Sequence, residues 1–168
     1  MRHVLSICAG SVVLLAAACG EGSRIRSVAE SVRSALNTPI PPDTIPEMVN
    51  YAADLQVDMA GMAKLPEGVF WIDLESGSGE PAVVGDSVEI GYRGWLSNGT
   101  IVDSGVVSIR IGESTVVPGL ELGLPGMKPG GKRKLVLPPG LAYGGDGRDD
   151  IPPYAVLVYD VVLRGRFP

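Results

Sequence analysis

The run Gly85-Asp86-Ser87-Val88-Glu89-Ile90-Gly91-Tyr92-Arg93-Gly94-Trp95-Leu96-Ser97-Asn98-Gly99-Thr100-Ile101-Val102-Asp103 decides the fold class. Val88, Ile90 and Tyr92 alternate with Glu89, Gly91 and Arg93, the period of a strand with an apolar face and a charged one. Asn98-Gly99 is the favoured centre of a type I′ turn, which predicts that Ser87 to Leu96 folds back on Thr100 to Asp103 as an antiparallel hairpin.

The same texture extends in both directions. Val69 to Glu75 reads as a strand closed by Ser76-Gly77-Ser78-Gly79, and Val106 to Ile111 and Arg133 to Leu137 read as two more. Val156 to Leu163 is the most apolar run and suits a central position in the sheet. Between them, Gly119 to Leu124 has room for only a short helix before Pro125-Gly126. Many strands with one brief helix predict an α+β domain over residues 67–168, the helix packed on one face of an antiparallel sheet.

The scarce residues limit the chemistry. The chain has one histidine, His3, and two cysteines, Cys8 and Cys19, all in an apolar leader. Without that leader no imidazole remains for a general base, a nucleophile activator or a metal ligand, and one thiol forms no intrachain disulfide. No cofactor and no metal are expected. The formal charge is −5, from 14 Lys and Arg against 19 Asp and Glu, the wrong sign for binding nucleic acid through its phosphates. Backbone groups, carboxylates, tyrosine hydroxyls and apolar shape are left to carry a function.

Arg2 followed by the uncharged run Val4 to Ala18 is an export signal, shorter than the roughly 20 apolar residues that span a bilayer. Leu15-Ala16-Ala17-Ala18-Cys19-Gly20 resembles the bacterial lipobox, with Ala16 where leucine is more frequent. That resemblance implies a signal peptide over residues 1–18, acylation of Cys19, and an exported lipoprotein anchored in a membrane; an ordinary secretory signal is the alternative. Residues 19–66 then form a tether. Ile25, Val28, Ala29, Val32, Ala35 and Leu36 recur at helical spacing, and Pro39, Pro41, Pro42 and Pro46 favour an extended spacer. Glu47 to Lys64 is ambiguous: Met48, Tyr51, Leu55, Met59 and Met62 fit a helix, whereas Leu55, Val57 and Met59 alternate as in a strand.

Within the domain, Gly85-Asp86, Tyr92-Arg93-Gly94-Trp95-Leu96, Asn98-Gly99, Val102-Asp103-Ser104, Val116-Val117-Pro118-Gly119-Leu120, Gly126-Met127, Gly130, Ala142-Tyr143-Gly144 and Ile151-Pro152-Pro153 follow one another in an order that resembles the FKBP-type peptidyl-prolyl isomerases. The resemblance covers about 95 residues and implies a half-barrel sheet wrapped on one short helix. It also implies that Tyr143 offers its hydroxyl to a substrate carbonyl and that Asp103 sets a carboxylate at the pocket rim. The Val117 N–H would bind the peptide, with Tyr92, Val102, Val116, Val117, Leu120, Ile151 and Tyr159 as the apolar wall. The implied partners are proline-containing polypeptides. Such an activity suits a domain without histidine, because rotation about a peptide bond breaks no covalent bond and moves no proton.

The chain departs from the family at Leu120, where a tryptophan is usual, at Val102, where a phenylalanine is usual, and at Val107 and Ile109, where aromatics are frequent. The arginine that often pairs with the pocket aspartate has no counterpart. Fewer rings predict a wider, softer pocket and weaken the expectation of macrolide binding. A catalytically weak peptide-binding or chaperone module on the same fold is the alternative function. Two further groups read as solvated surface: Asp146, Asp149 and Asp150 in one loop, and the basic set Lys128, Lys132, Arg133 and Lys134.

Overall fold

The structure, a computed structural model, describes residues 44–113 and 115–168. Cys19, the run from Ile25 to Leu36 expected as a short helix and the prolines from Pro39 to Pro42 lie outside them. Strands β1 (Ala63–Lys64), β2 (Phe70–Glu75), β3 (Ser87–Leu96), β4 (Ile101–Arg110), β5 (Lys132–Leu137) and β6 (Leu157–Phe167) form one antiparallel sheet in the order β1-β2-β5-β6-β3-β4, and Pro118–Leu122 is a single α-helical turn, α1. The strongly apolar β6 lies inside the sheet between β5 and β3, as its composition requires. Two sequence runs, Thr100 to Asp103 and Val106 to Ile111, merge into the one edge strand β4.

The β3–β4 hairpin differs from the expected type I′ turn. Gly99 has φ +88 while Asn98 stays at negative φ. Leu96 accepts from Gly99 N–H and donates to Thr100, and the Asn98 side chain accepts from Thr100 N–H. That is a three-residue loop with one left-handed glycine, the next commonest way to close a twisted hairpin. A bulge follows: Gly94 opposes Asp103 and Trp95 opposes Ile101, leaving Val102 as the extra residue.

The inner face of the sheet carries Val88 and Ile90 from β3, Leu135 and Leu137 from β5, and Leu157, Tyr159, Val161 and Leu163 from β6, all buried against Leu120 and Leu124. Glycines let α1 lie this close. A Cβ on Gly123 would stand 2.6 Å from the Leu135 methyls, and one on Gly119 would stand 2.9 Å from Leu137 and 3.0 Å from the Leu141 carbonyl. Arg133, read in sequence as part of a solvated basic face, is instead 4% exposed. Its guanidinium bonds Asp73 at 2.6 and 3.2 Å, donates to the carbonyls of Gly123 and Pro125 at 2.9 and 3.0 Å, and stacks on Trp71 at 4.2 Å. It thus caps the carbonyl end of the helical turn, a task that planar arginine geometry suits.

The outer face is covered in part by residues 46–64, which belong to the same compact unit as the sheet. Neither reading of that stretch holds along its length. It forms two 3-10 turns, Pro46–Met48 and Ala53–Leu55, and then β1, and Gln56 at φ 49 ends the second turn. Val49 and Leu55 are buried on Phe70, Val136, Val156 and Val158, and the Tyr51 hydroxyl donates to the Pro46 carbonyl at 2.8 Å. Burial raises the Tyr51 phenol above its ordinary value. Lys134 is also buried, 5% exposed, and bonds Asp160 at 2.6 Å. Cross-strand register explains why the basic run is not a solvated face: Arg133 and Lys134 alternate inward and outward on an interior strand with both faces covered.

Replacing Arg133 by alanine strands two backbone carbonyls and removes a partner of Asp73, so a loss of about 2–4 kcal/mol is expected in urea unfolding. Arg133→Lys should recover less than half of it, since one ammonium does not reproduce the fork. Asp86 is held below its ordinary value, first by the Arg166 guanidinium and then by the Val83 N–H. A depressed folded value means that its contribution is complete above about pH 4 and is lost as pH falls through the folded value. The difference in Tm between the wild type and Asp86→Asn should therefore be constant near neutrality and shrink below pH 4.

Candidate active site

β3 and β6 run side by side with Gly94 opposite Tyr159. A Cβ on Gly94 would lie 2.5 Å from the Tyr159 ring, so glycine there lets the ring lie flat across the sheet. Tyr92, two residues away on the same face, has its ring centroid 6.2 Å from that of Tyr159, tilted by 48°. Burial, with Tyr143 and Asp103 adding to it, raises the Tyr159 phenol, and burial first and the Asp103 carboxylate second raise that of Tyr92. Both stay neutral hydroxyl groups through the physiological range.

These rings line a cavity of about 430 Å³, together with Asp103 and Val107 from β4, Thr115, Val116 and Val117 before α1, Leu120 from α1, and Tyr143 and Arg148 from the loop before β6. The volume is that of a small-ligand site. Tyr92 donates its hydroxyl to Asp103 at 3.1 Å. The tyrosine thereby fixes the position of the carboxylate at the cavity. Val117 ends the extended approach to α1 with ψ 135, and its carbonyl accepts from Leu120 and Glu121. The loop after β4 is tied down by Glu121, whose carboxylate accepts from Gly112 N–H at 2.6 Å.

Of the residues singled out in the sequence, Tyr92, Asp103, Val116, Val117, Leu120, Tyr143 and Tyr159 converge on this cavity, and Val102 and Ile151 do not line it. Val102 is the bulged residue of β4 and packs against the inner core, while Ile151 is 8% exposed in that core and exchanges two hydrogen bonds with Arg148. Sequence reasoning missed Arg148. Its guanidinium sits 5.7 Å from the Tyr143 ring centroid, with the Asp149 carboxylate 3.4 Å away. The tight turn Gly147-Arg148 is its only local signal, because the contact with Tyr143 depends on the bridge to Ile151. Among the described residues no group of three His, Cys, Asp or Glu side chains converges as metal ligands would.

The arrangement gathers tyrosine hydroxyls, one carboxylate, one guanidinium and an apolar wall around one cavity. Comparison with known proteins agrees with this geometry. The family model of the FKBP-type peptidyl-prolyl cis-trans isomerases matches residues 78–164. An FK506-binding protein of Neisseria meningitidis serogroup B is 41% identical over 102 residues, covering 57% of this chain and 94% of the relative. The human peptidyl-prolyl cis-trans isomerase FKBP9 is 38% identical over 138 residues, 70% of this chain and 24% of that one. Among solved structures, FkpA from Escherichia coli superposes with a TM-score of 0.62 at 31% identity, over 87% of this chain and 68% of its own. AtFKBP13 superposes at 0.57 and 35%, over 62% and 98%. With matched residues that run from before β3 into β6 and include all the cavity-lining positions, the chain belongs to the FKBP-type peptidyl-prolyl cis-trans isomerase family.

Proposed function

We propose that the chain catalyses cis–trans isomerisation of X-Pro bonds in exported proteins while anchored to a membrane by lipid on Cys19. The observation that carries the catalytic part is the convergence of Tyr143, Asp103 and the apolar wall on one cavity. The barrier to rotation is about 18–20 kcal/mol because amide resonance gives the C–N bond double-bond character. Water stabilises the planar, charge-separated form. An apolar wall that strips that water and fits the twisted amide lowers the barrier by differential binding, and a ten-thousandfold acceleration needs only about 5.5 kcal/mol.

Each lining group has a part in this reading. Leu120, Val116 and Val107 take the prolyl ring, Tyr143 donates to a substrate carbonyl, and the Val117 N–H pairs with the peptide backbone. Asp103, fixed by Tyr92, holds a negative charge at the rim. No step requires a proton to leave the protein, which fits tyrosines that remain protonated. Leu120 is 2% exposed and supplies an aliphatic floor where a ring would stack on proline. Rapamycin-like macrolides, which bury a large apolar area, should bind weakly for the same reason.

Cis-to-trans exchange in a Leu-Pro peptide, followed by NMR, tests the activity. Tyr143→Phe should lower kcat/KM roughly 2–10-fold, the worth of one hydrogen bond. Leu120→Trp should raise it several-fold by filling the open floor. If neither the wild type nor Leu120→Trp accelerates exchange at high enzyme loading, the chain is a peptide-binding module rather than a catalyst. For the anchor, Cys19→Ser should move the exported protein from the membrane fraction to the soluble one, and an unchanged distribution would refute lipidation.

A further inference from the structure

Residues 46–64 cover only part of the outer face of the sheet. The rest holds a second cavity of about 330 Å³, lined by Gly91, Arg93, Trp95, Lys132, Asp160, Val162 and Arg164 among others. Three cations face it against one carboxylate, and Lys134 already bonds that carboxylate at 2.6 Å, with Lys132 a further 3.8 Å away. Among the described residues neither Arg93 nor Arg164 has an ion-pair partner, although the chain as a whole is acidic.

Two backbone features build this groove. Glu89 opposes Gly165 and Ile90 opposes Leu163, so Arg164 is the extra residue of a bulge, a device that re-aims a side chain. Gly91 supplies the room: a Cβ there would stand 3.1 Å from Arg164 Nε, so the guanidinium lies directly over the β3 backbone. Arg93, two residues along the same face, is opposite Asp160 in β6 and small Ser104 in edge strand β4.

From this geometry we infer that the groove formed by Arg93, Lys132 and Arg164 binds an acidic segment of an extended polypeptide. Charge complementarity selects the sign of the ligand. Concavity selects a chain over a membrane plane, since the carboxylate must enter beside Gly91 and Val162. The groove lies behind the catalytic cavity, across one layer of sheet, and β4 is the rim between them. Where the isomerase reading holds, a polypeptide whose proline occupies the cavity reaches the groove by passing around β4, about six to eight extended residues away. The second site would then favour clients with acidic residues at that distance from proline.

The groove is testable without any catalysis. A proline-free heptapeptide rich in glutamate, titrated into 15N-labelled protein, should shift the amides of Gly91, Arg93, Val162 and Arg164 but not that of Val117, and the shifts should fade between 50 and 500 mM salt, set by order of magnitude from charge screening. Arg93→Glu/Arg164→Glu should abolish them, and the milder Arg93→Gln/Arg164→Gln should weaken them at least threefold. In the isomerase assay, a Leu-Pro peptide with glutamates six to eight residues from proline should show a KM several-fold below that of its lysine counterpart, a difference absent in the double variants. Peptide shifts that survive charge reversal overturn the proposal, as does a response to phosphatidylglycerol vesicles without one to the peptide. An inactive protein that still binds the acidic peptide would leave the groove standing and remove only the isomerase reading.

Discussion

A helical turn of five residues has no stability of its own, since helix nucleation costs more than so few hydrogen bonds return. Everything at the cavity depends on α1 being held against β5. Gly119 and Gly123 give up side chains so that Leu137 and Leu135 can touch the helix backbone, Leu120 and Leu124 bury themselves in exchange, and Arg133 caps the far end while bridging to Asp73. The floor and the Val116–Val117 wall of the cavity are carried by this turn and the residues before it. A change at Arg133 therefore acts on the site without touching it.

The opposite wall is set by a similar exchange of volume. Gly94 vacates the space that the Tyr159 ring fills, and Tyr159 in turn stands beside Tyr92, whose hydroxyl fixes Asp103. One interior strand pair thus places both the apolar surface and the rim carboxylate. The chemistry needs no more: amide rotation demands a shaped, partly dry surface and a few hydrogen-bond donors.

Both faces of β3, β5 and β6 are used, which separates this sheet from a simple half-buried one. The inner face holds the helix and the cavity. Residues 46–64 cover part of the outer face, and the remainder gathers Arg93, Lys132 and Arg164 into a groove. Covering an interior strand on both sides buries its alternating cations, each held by a carboxylate on a neighbouring strand, Arg133 by Asp73 on one face and Lys134 by Asp160 on the other.

The local signals in the sequence were enough for strand content, the short helix before Pro125-Gly126 and the antiparallel hairpin, because periodicity and turn residues are properties of neighbouring residues. The order of the motif blocks also located most of the cavity wall, from Tyr92 to Tyr159. The fate of the basic run was not legible, since whether Arg133 meets water or Asp73, 60 residues earlier, depends on cross-strand register. The same holds for the bulges that pull Val102 out of the cavity and push Arg164 over Gly91, and for the Arg148–Ile151 bridge that brings Arg148 to Tyr143. Such placements are set by contacts between residues far apart in the chain, so only the tertiary structure decides them.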